Sequence, residues 1–113
     1  MSMNSDIITA LSTVNLPKET GVYTGTATSY IVLTPLGKQK SDIADDKYMT
    51  KTEEMDVHLY CVGNYLTIES TIEALLESAG FFISDSNYIE VVKISDTVYQ
   101  HHYVFTVEKK TIL

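Results

Sequence analysis

The chain has one cysteine, no tryptophan and few basic residues, and these shortages narrow the classes of protein it can belong to. Cys61 alone cannot form an internal disulfide or a thiolate cluster around a metal. The 8 basic residues are outnumbered by 15 acidic ones, which gives a net charge of -7. A chain this acidic is poorly suited to hold the phosphate backbone of nucleic acids. We therefore expect no specific binding to nucleic acid.

Long hydrophobic runs are also missing. No apolar stretch approaches the roughly 20 residues that a membrane-spanning helix requires. The first residues, MSMNSDIITAL, have no basic segment and too short an apolar core for a signal peptide. We therefore expect a protein without a membrane partner that is made and used in a cytoplasm, and the single cysteine fits a reducing compartment.

What is present is the composition of one globular domain. The chain has 113 residues, of which 44% are hydrophobic and 20% are charged. A chain of this length can bury enough surface for one hydrophobic core. We therefore expect residues 1–113 to form a single domain with both helices and strands.

The hydrophobic pattern predicts two helices. A short N-terminal helix ends before Pro17 and places three apolar residues on one face: Ile7, Ile8 and Leu11. A longer helix spans residues 65–79, and Gly80 follows it as a left-handed C-terminal cap. The longer helix carries one apolar stripe, formed by Ile68, Ile72, Leu75, Leu76 and Ala79.

Four strands are predicted, at residues 28–34, 54–62, 87–94 and 98–110. The second strand alternates strictly and turns four residues towards the core: Met55, Val57, Leu59 and Cys61. The turn sequence SDT joins the last two strands into a hairpin. We therefore expect a four-stranded, mainly antiparallel sheet with the long helix on one face and a short N-terminal helix, in the order α-β-β-α-β-β.

Residues 35–53 are polar and show no period, so they are predicted to form a long mobile loop. Connections of this length are uncommon in a compact domain and are usually functional or mobile. Asp45 and Asp46 in this loop are adjacent carboxylates that can bind Mg²⁺ or Ca²⁺. Such a site needs further oxygen ligands, and no calcium-loop spacing surrounds the pair. We interpret them as part of a solvated or subunit-contacting loop.

The histidines and the cysteine are not arranged for catalysis. His58 and Cys61 lie three residues apart on one strand, so their side chains point to opposite faces. The same alternation separates His101 from His102, which therefore cannot chelate one metal together. We predict no catalytic, metal or cofactor site. The eight tyrosines suit a protein interface, although strands favour tyrosine in any case.

Five segments occur in a particular order: TSYIVL, a charged stretch that ends in ADDK, MDVHLYCVGNY, LLESAGF and YQHHYVFTV. Together they resemble the small tail-terminator proteins of long-tailed phages and prophages, over about residues 22–107. Each segment alone is degenerate, and the ordered set is more specific. The chain departs from the family pattern at Cys61 and Val62, where a tryptophan or tyrosine and a lysine or serine are more usual.

The resemblance implies a structural protein without enzymatic activity or cofactor. Tail terminators form rings, commonly hexameric, that cap the tail tube and present a surface to the head-side connector. The implied partners are further copies of the chain, the major tail-tube protein and a head-completion or connector protein, while DNA passes through the channel. The implied location is the head-proximal end of the tail in the virion, after assembly in the bacterial cytoplasm.

In such a ring the long loop is a suitable arm for a neighbouring subunit. The candidate interface residues are Asp45, Asp46, Lys47 and Tyr48. Two other interpretations stay open. In the first, the chain is another tail or neck component, such as a head-completion protein. In the second, it is a small ligand-binding or enzymatic domain with a pocket beneath residues 35–53.

Overall fold

The computed structural model describes the backbone of residues 3–44 and 47–112 and the side chains of residues 3–37 and 51–111. One mixed sheet with the strand order β1-β2-β3-β5-β4 dominates it, and the chain is elongated, at 62 × 22 × 22 Å. The elements along the chain are α1 (Met3–Ala10), β1 (Lys18–Thr20), β2 (Tyr30–Ala44), β3 (Lys47–Val62), α2 (Tyr65–Ser78), β4 (Phe82–Ser95) and β5 (Val98–Ile112).

The predicted fold is wrong in its strand count and sheet type. The sheet has five strands, and two helices accompany a structure that is mostly sheet, in place of four antiparallel strands under one long helix. The added strand, β1, pairs in parallel with β2, where Lys18 lies opposite Ile31. Three residues are too few to show a period of two, so β1 leaves no signal in the sequence.

The predicted loop at residues 35–53 is also wrong as secondary structure. Residues 35–44 continue β2 and residues 47–53 begin β3, and the two segments pair antiparallel, with Gln39 opposite Thr52 and Ser41 opposite Thr50. We call this hairpin, residues 35–44 with 47–53, the arm. Its polar sequence does not alternate, so the pairing partner and not the hydrophobic pattern determines its conformation. Its mobility stays a prediction.

Other elements form as their sequence predicts. The four alternating residues of β3, from Met55 to Cys61, are all buried. α2 buries Ile72 and Leu76 completely and begins at Asn64, whose side-chain oxygen accepts a hydrogen bond of 3.2 Å from the backbone N–H of Leu66. Gly80 ends the helix at φ 92°, a left-handed conformation that glycine adopts without steric cost.

The core lies between one face of the sheet and the two helices. Its fully buried members are Ile7, Leu11, Ile31, Leu33, Val57, Leu59, Cys61, Ile72, Leu76, Phe105 and Val107. Each such aliphatic or aromatic side chain contributes about 1.5–3 kcal/mol by its removal from water. Lys109 Nζ on β5 lies 2.9 Å from Asp6 Oδ2 on α1, which fixes α1 against the sheet. The opposite face of the sheet carries the alternate side chains, which include Tyr30, Tyr60 and His102.

Candidate functional site

Aromatic rings form a row on the sheet face opposite the core. Tyr23 stacks on Tyr30 at 4.0 Å between ring centroids, Tyr30 on Tyr60 at 4.7 Å, and Tyr60 on His102 at 4.2 Å. Tyr30, Tyr60 and His102 lie opposite one another on β2, β3 and β5. Because these ring faces pack against each other, they are not free to stack on bases, which is the usual way a sheet binds single-stranded nucleic acid.

A histidine pair lies beside this row. His58 Nδ1 and His102 Nε2 are 3.0 Å apart, so one ring donates a hydrogen bond to the other. Partial burial lowers the pKa of both histidines, and the neighbouring His58 lowers the pKa of His102 further. The negative charge of Asp56 raises the pKa of His58, and that of Glu90 raises the pKa of His102. Both pKa values are nevertheless lowered overall. The lowered pKa values favour the neutral form of both rings, and one neutral ring can donate the hydrogen bond to the other.

The pair predicts a pH dependence of stability. Because the folded pKa values lie below the ordinary value of about 6.5, the unfolded chain takes up protons first as the pH falls. The free energy of unfolding is expected to fall between pH 7.5 and 5.5, a window in which ordinary carboxylates stay ionised. Thermal unfolding of the wild type and of His102→Gln across this window measures the effect.

His102→Gln is expected to weaken the pH dependence of the free energy of unfolding, because it removes one member of the histidine pair. The matched control is His101→Gln, which alters the neighbouring residue on the other face and leaves the pair intact. An equal slope in the wild type and in His102→Gln would contradict this explanation.

His101 and Cys61 lie on the core side of the sheet. The Tyr88 hydroxyl and His101 Nδ1 are 2.8 Å apart, and the ring of Tyr65 lies 4.8 Å from that of His101. Cys61 is 1% exposed, and burial raises the pKa of its thiol, which disfavours the reactive thiolate. As the alternation predicts, His58 is separated from Cys61 and His101 from His102 by the sheet, so neither pair can act together.

β4 is an edge strand that exposes apolar side chains. In the described part of the chain it pairs with β5 alone, so its other edge is open. Six large side chains on β4 and the adjacent start of β5 are between 42% and 51% exposed. We call them the edge patch: Tyr88, Ile89, Val91, Val92 and Ile94 on β4, and Tyr99 on β5. Exposed apolar side chains that are contiguous along an open strand edge indicate a surface for another chain.

An acidic groove lies at the start of this edge, between α2 and β4. Its volume is about 620 Å³, and its lining includes Glu73 and Glu77 on α2 and Asp85 on β4. Exposed Phe82 forms part of its wall. The groove therefore adds negative charge to one end of the open edge.

The opposite edge of the sheet is partly open as well. β1 covers β2 at Ile31–Leu33, and the backbone N–H of Gly21 donates to the carbonyl of Leu33 at 2.8 Å. Along residues 34–44 the outer edge of β2 has no strand partner among the described residues. Pro35 lies in this segment, and proline, which lacks the N–H donor, is compatible with an edge strand.

Two of the four predicted interface residues, Lys47 and Tyr48, lie at the described end of the arm. Asp45 and Asp46 lie outside the described residues. Lys47 and Tyr48 begin β3, where their backbones pair with Ala44 and Ile43 of β2. Their role in a subunit interface stays a prediction.

The alternative of a ligand pocket beneath residues 35–53 has a small cavity to match it. A pocket of about 190 Å³ at the base of the arm is lined by Met3, Asn4, Pro35, Gly37, Glu53, Glu54 and Met55. Pockets for small molecules usually hold about 300–1,000 Å³. Among the residues whose side chains are described, 3–37 and 51–111, no three histidine, cysteine, aspartate or glutamate residues are grouped so that they could hold a metal ion. None of the described helices is long and apolar enough to cross a membrane.

Comparison with known proteins does not assign the chain to a family. No protein-family model matches the chain, and no curated protein sequence matches it significantly.

Sequence reasoning missed the edge patch, although the segment YIEVVKI holds its signal. Apolar residues occur there at both parities, a pattern typical of a strand that is covered on both faces. In the structure β4 is exposed along almost its whole length. A strand with the composition of a buried one therefore lies at an open edge, which makes it the strongest candidate surface in the described chain.

Proposed function

We propose that this chain is a structural subunit of a homo-oligomeric ring that caps the tail tube of a long-tailed phage and connects it to the head side. One observation carries the assembly part of this proposal. Among the described residues the sheet of this 62 Å long chain has an open edge at β4 and a partly open edge at β2, and the β4 edge exposes the edge patch. Burial of such an edge in a defined complex avoids the uncontrolled pairing that open strands invite.

The resemblance to tail terminators carries the phage part. The segment TSYIVL leads into β2, MDVHLYCVGNY runs through β3 into the start of α2, and LLESAGF covers the end of α2. YQHHYVFTV lies within β5, and the described ends of ADDK are Ala44, the last residue of β2, and Lys47, the first residue of β3. Most of these segments lie on the elements that build the core, and one lies at the arm. This arrangement supports the interpretation that the five segments together form one family pattern.

The proposed partners follow from this role. Beyond further copies of the chain, they are the major tail-tube protein on one side of the ring and a head-completion or connector protein on the other. The ring lies at the head-proximal end of the tail. DNA passes through its channel, and the net charge of -7 limits sticking of DNA to the protein.

The mass of the purified chain in solution, combined with negative-stain imaging, tests the ring. We expect a closed particle whose mass is a whole multiple of 12.6 kDa, with six copies as the number implied by the resemblance. Obligate interfaces of such a ring bury on the order of 2,000 Å² or more. A particle that stays monomeric up to high micromolar concentration would contradict the proposal.

A further inference from the structure

The directions of the strands make the two open edges compatible with each other. β2 is antiparallel to β3, β3 to β5 and β5 to β4, so β4 runs antiparallel to β2. When a second copy lies beside the first in the same orientation, its β2 therefore meets β4 of the first as an antiparallel strand. No inversion of either copy is needed, and antiparallel pairing is the more stable geometry per residue.

β1 determines where this contact falls along the sheet. It occupies the outer edge of β2 at Ile31–Leu33, which leaves residues 34–44 for a neighbour. This segment lies mainly in the arm, and β4, with 14 residues, is long enough to accommodate it. The neighbouring copy is therefore displaced along the strands, so that its arm and not its core lies against β4.

The stretch 35–53, which contains the arm, has no net charge. It holds four lysines, Lys38, Lys40, Lys47 and Lys51, and four acidic residues, Asp42, Asp45, Asp46 and Glu53. A segment without net charge is compatible with the apolar edge patch.

We propose that the open edge of β4, together with the edge patch, binds the arm of a neighbouring copy as an added antiparallel strand. This inference rests on the proposed ring and names the surface that closes it. The interface is heterologous, because an arm on one copy meets an edge on the next, and such contacts form rings when the rotation closes. β4 has three register shifts against β5, and such irregularities bend a strand locally.

Two variants remove the two halves of this interface separately. In the edge variant, Val91→Lys and Ile94→Lys place charge on exposed positions of the edge patch. In the arm variant, Asn-Gly replaces residues 40–51, so that a two-residue turn joins Gln39 and Thr52, which already lie opposite each other. Leu66→Lys on α2 is the matched control, because it places the same charge on a 60% exposed apolar residue that belongs neither to β4 nor to the arm.

Each variant is expected to be a folded monomer by circular dichroism and mass measurement, and the control is expected to form the wild-type ring. A 1:1 mixture of the two variants is expected to form a dimer and nothing larger. The reason is that the arm variant retains its edge and the edge variant retains its arm. Ile94→Lys alone is the milder variant if the double substitution unfolds, and it should raise the concentration for half-assembly by about tenfold.

The other outcomes separate this inference from the proposed function. If the wild type forms rings and the folded edge variant forms them at the same concentration, the β4 interface is wrong while the ring stands. If the arm variant dimerises alone, the edge pairs with itself and the heterologous contact is wrong. If the wild type is itself monomeric, the proposed ring and this interface both fail.

Discussion

Production of the arm variant together with an equal amount of the wild-type chain is expected to block phage assembly. The arm variant can accept an arm at its β4 edge but offers none, so one copy leaves a ring open. In a ring of six assembled at random, about 2% of rings contain wild-type subunits only. We therefore expect the yield of infectious particles to fall roughly fiftyfold relative to wild-type chain alone, as measured by plaque counts.

The control for this experiment combines the arm variant with the two substitutions of the edge variant. That chain lacks both halves of the interface, so it cannot enter a ring and should leave the yield close to the wild-type level. Inhibition of equal strength by the combined variant would point to a non-specific effect of overproduction. Full yield in the presence of the folded arm variant would contradict a ring closed by the arm.

The elements that the sequence predicts well are those with one face packed against the core and the other exposed to solvent. β3 alternates because one of its faces packs against the helices, and its buried residues follow from that pattern alone. α2 carries a stripe with a cap at each end, Asn64 and Gly80. In both elements the local pattern and the tertiary packing agree, so short windows of sequence suffice.

The sheet as a whole could not be derived in this way. β1 is three residues long, and its parallel pairing joins it to a strand more than ten residues further along the chain. The arm is polar and lacks alternation, so its two strands are defined by each other. In both cases the structure depends on a partner strand that no local window contains.

The contacts of the candidate surfaces depend on register in the same way. Alternation predicts that His58 and Cys61 face apart, but it does not predict that His58 contacts His102, 44 residues away. It also does not predict the row from Tyr23 to His102, which requires the pairing of three strands. The edge patch is visible as an apolar segment, yet its exposure follows from the position of β4 at the end of the strand order.

Deletion of this chain from a phage that encodes it is expected to have the largest effect of all. A tube without its terminator has no signal to stop growing and no surface for the head-side connector. We therefore expect filled heads that carry no tails, and free tails without a defined length. The wild-type chain supplied in trans should restore joined particles, whereas the arm variant should not, because it cannot close the ring.

The length distribution of the tails in this deletion mutant, measured by electron microscopy, tests the account most directly. A broad distribution of free tails beside filled heads is the result that tail termination predicts. Tails of normal, uniform length joined to heads in the absence of the chain would contradict it, even if the purified chain formed rings in solution.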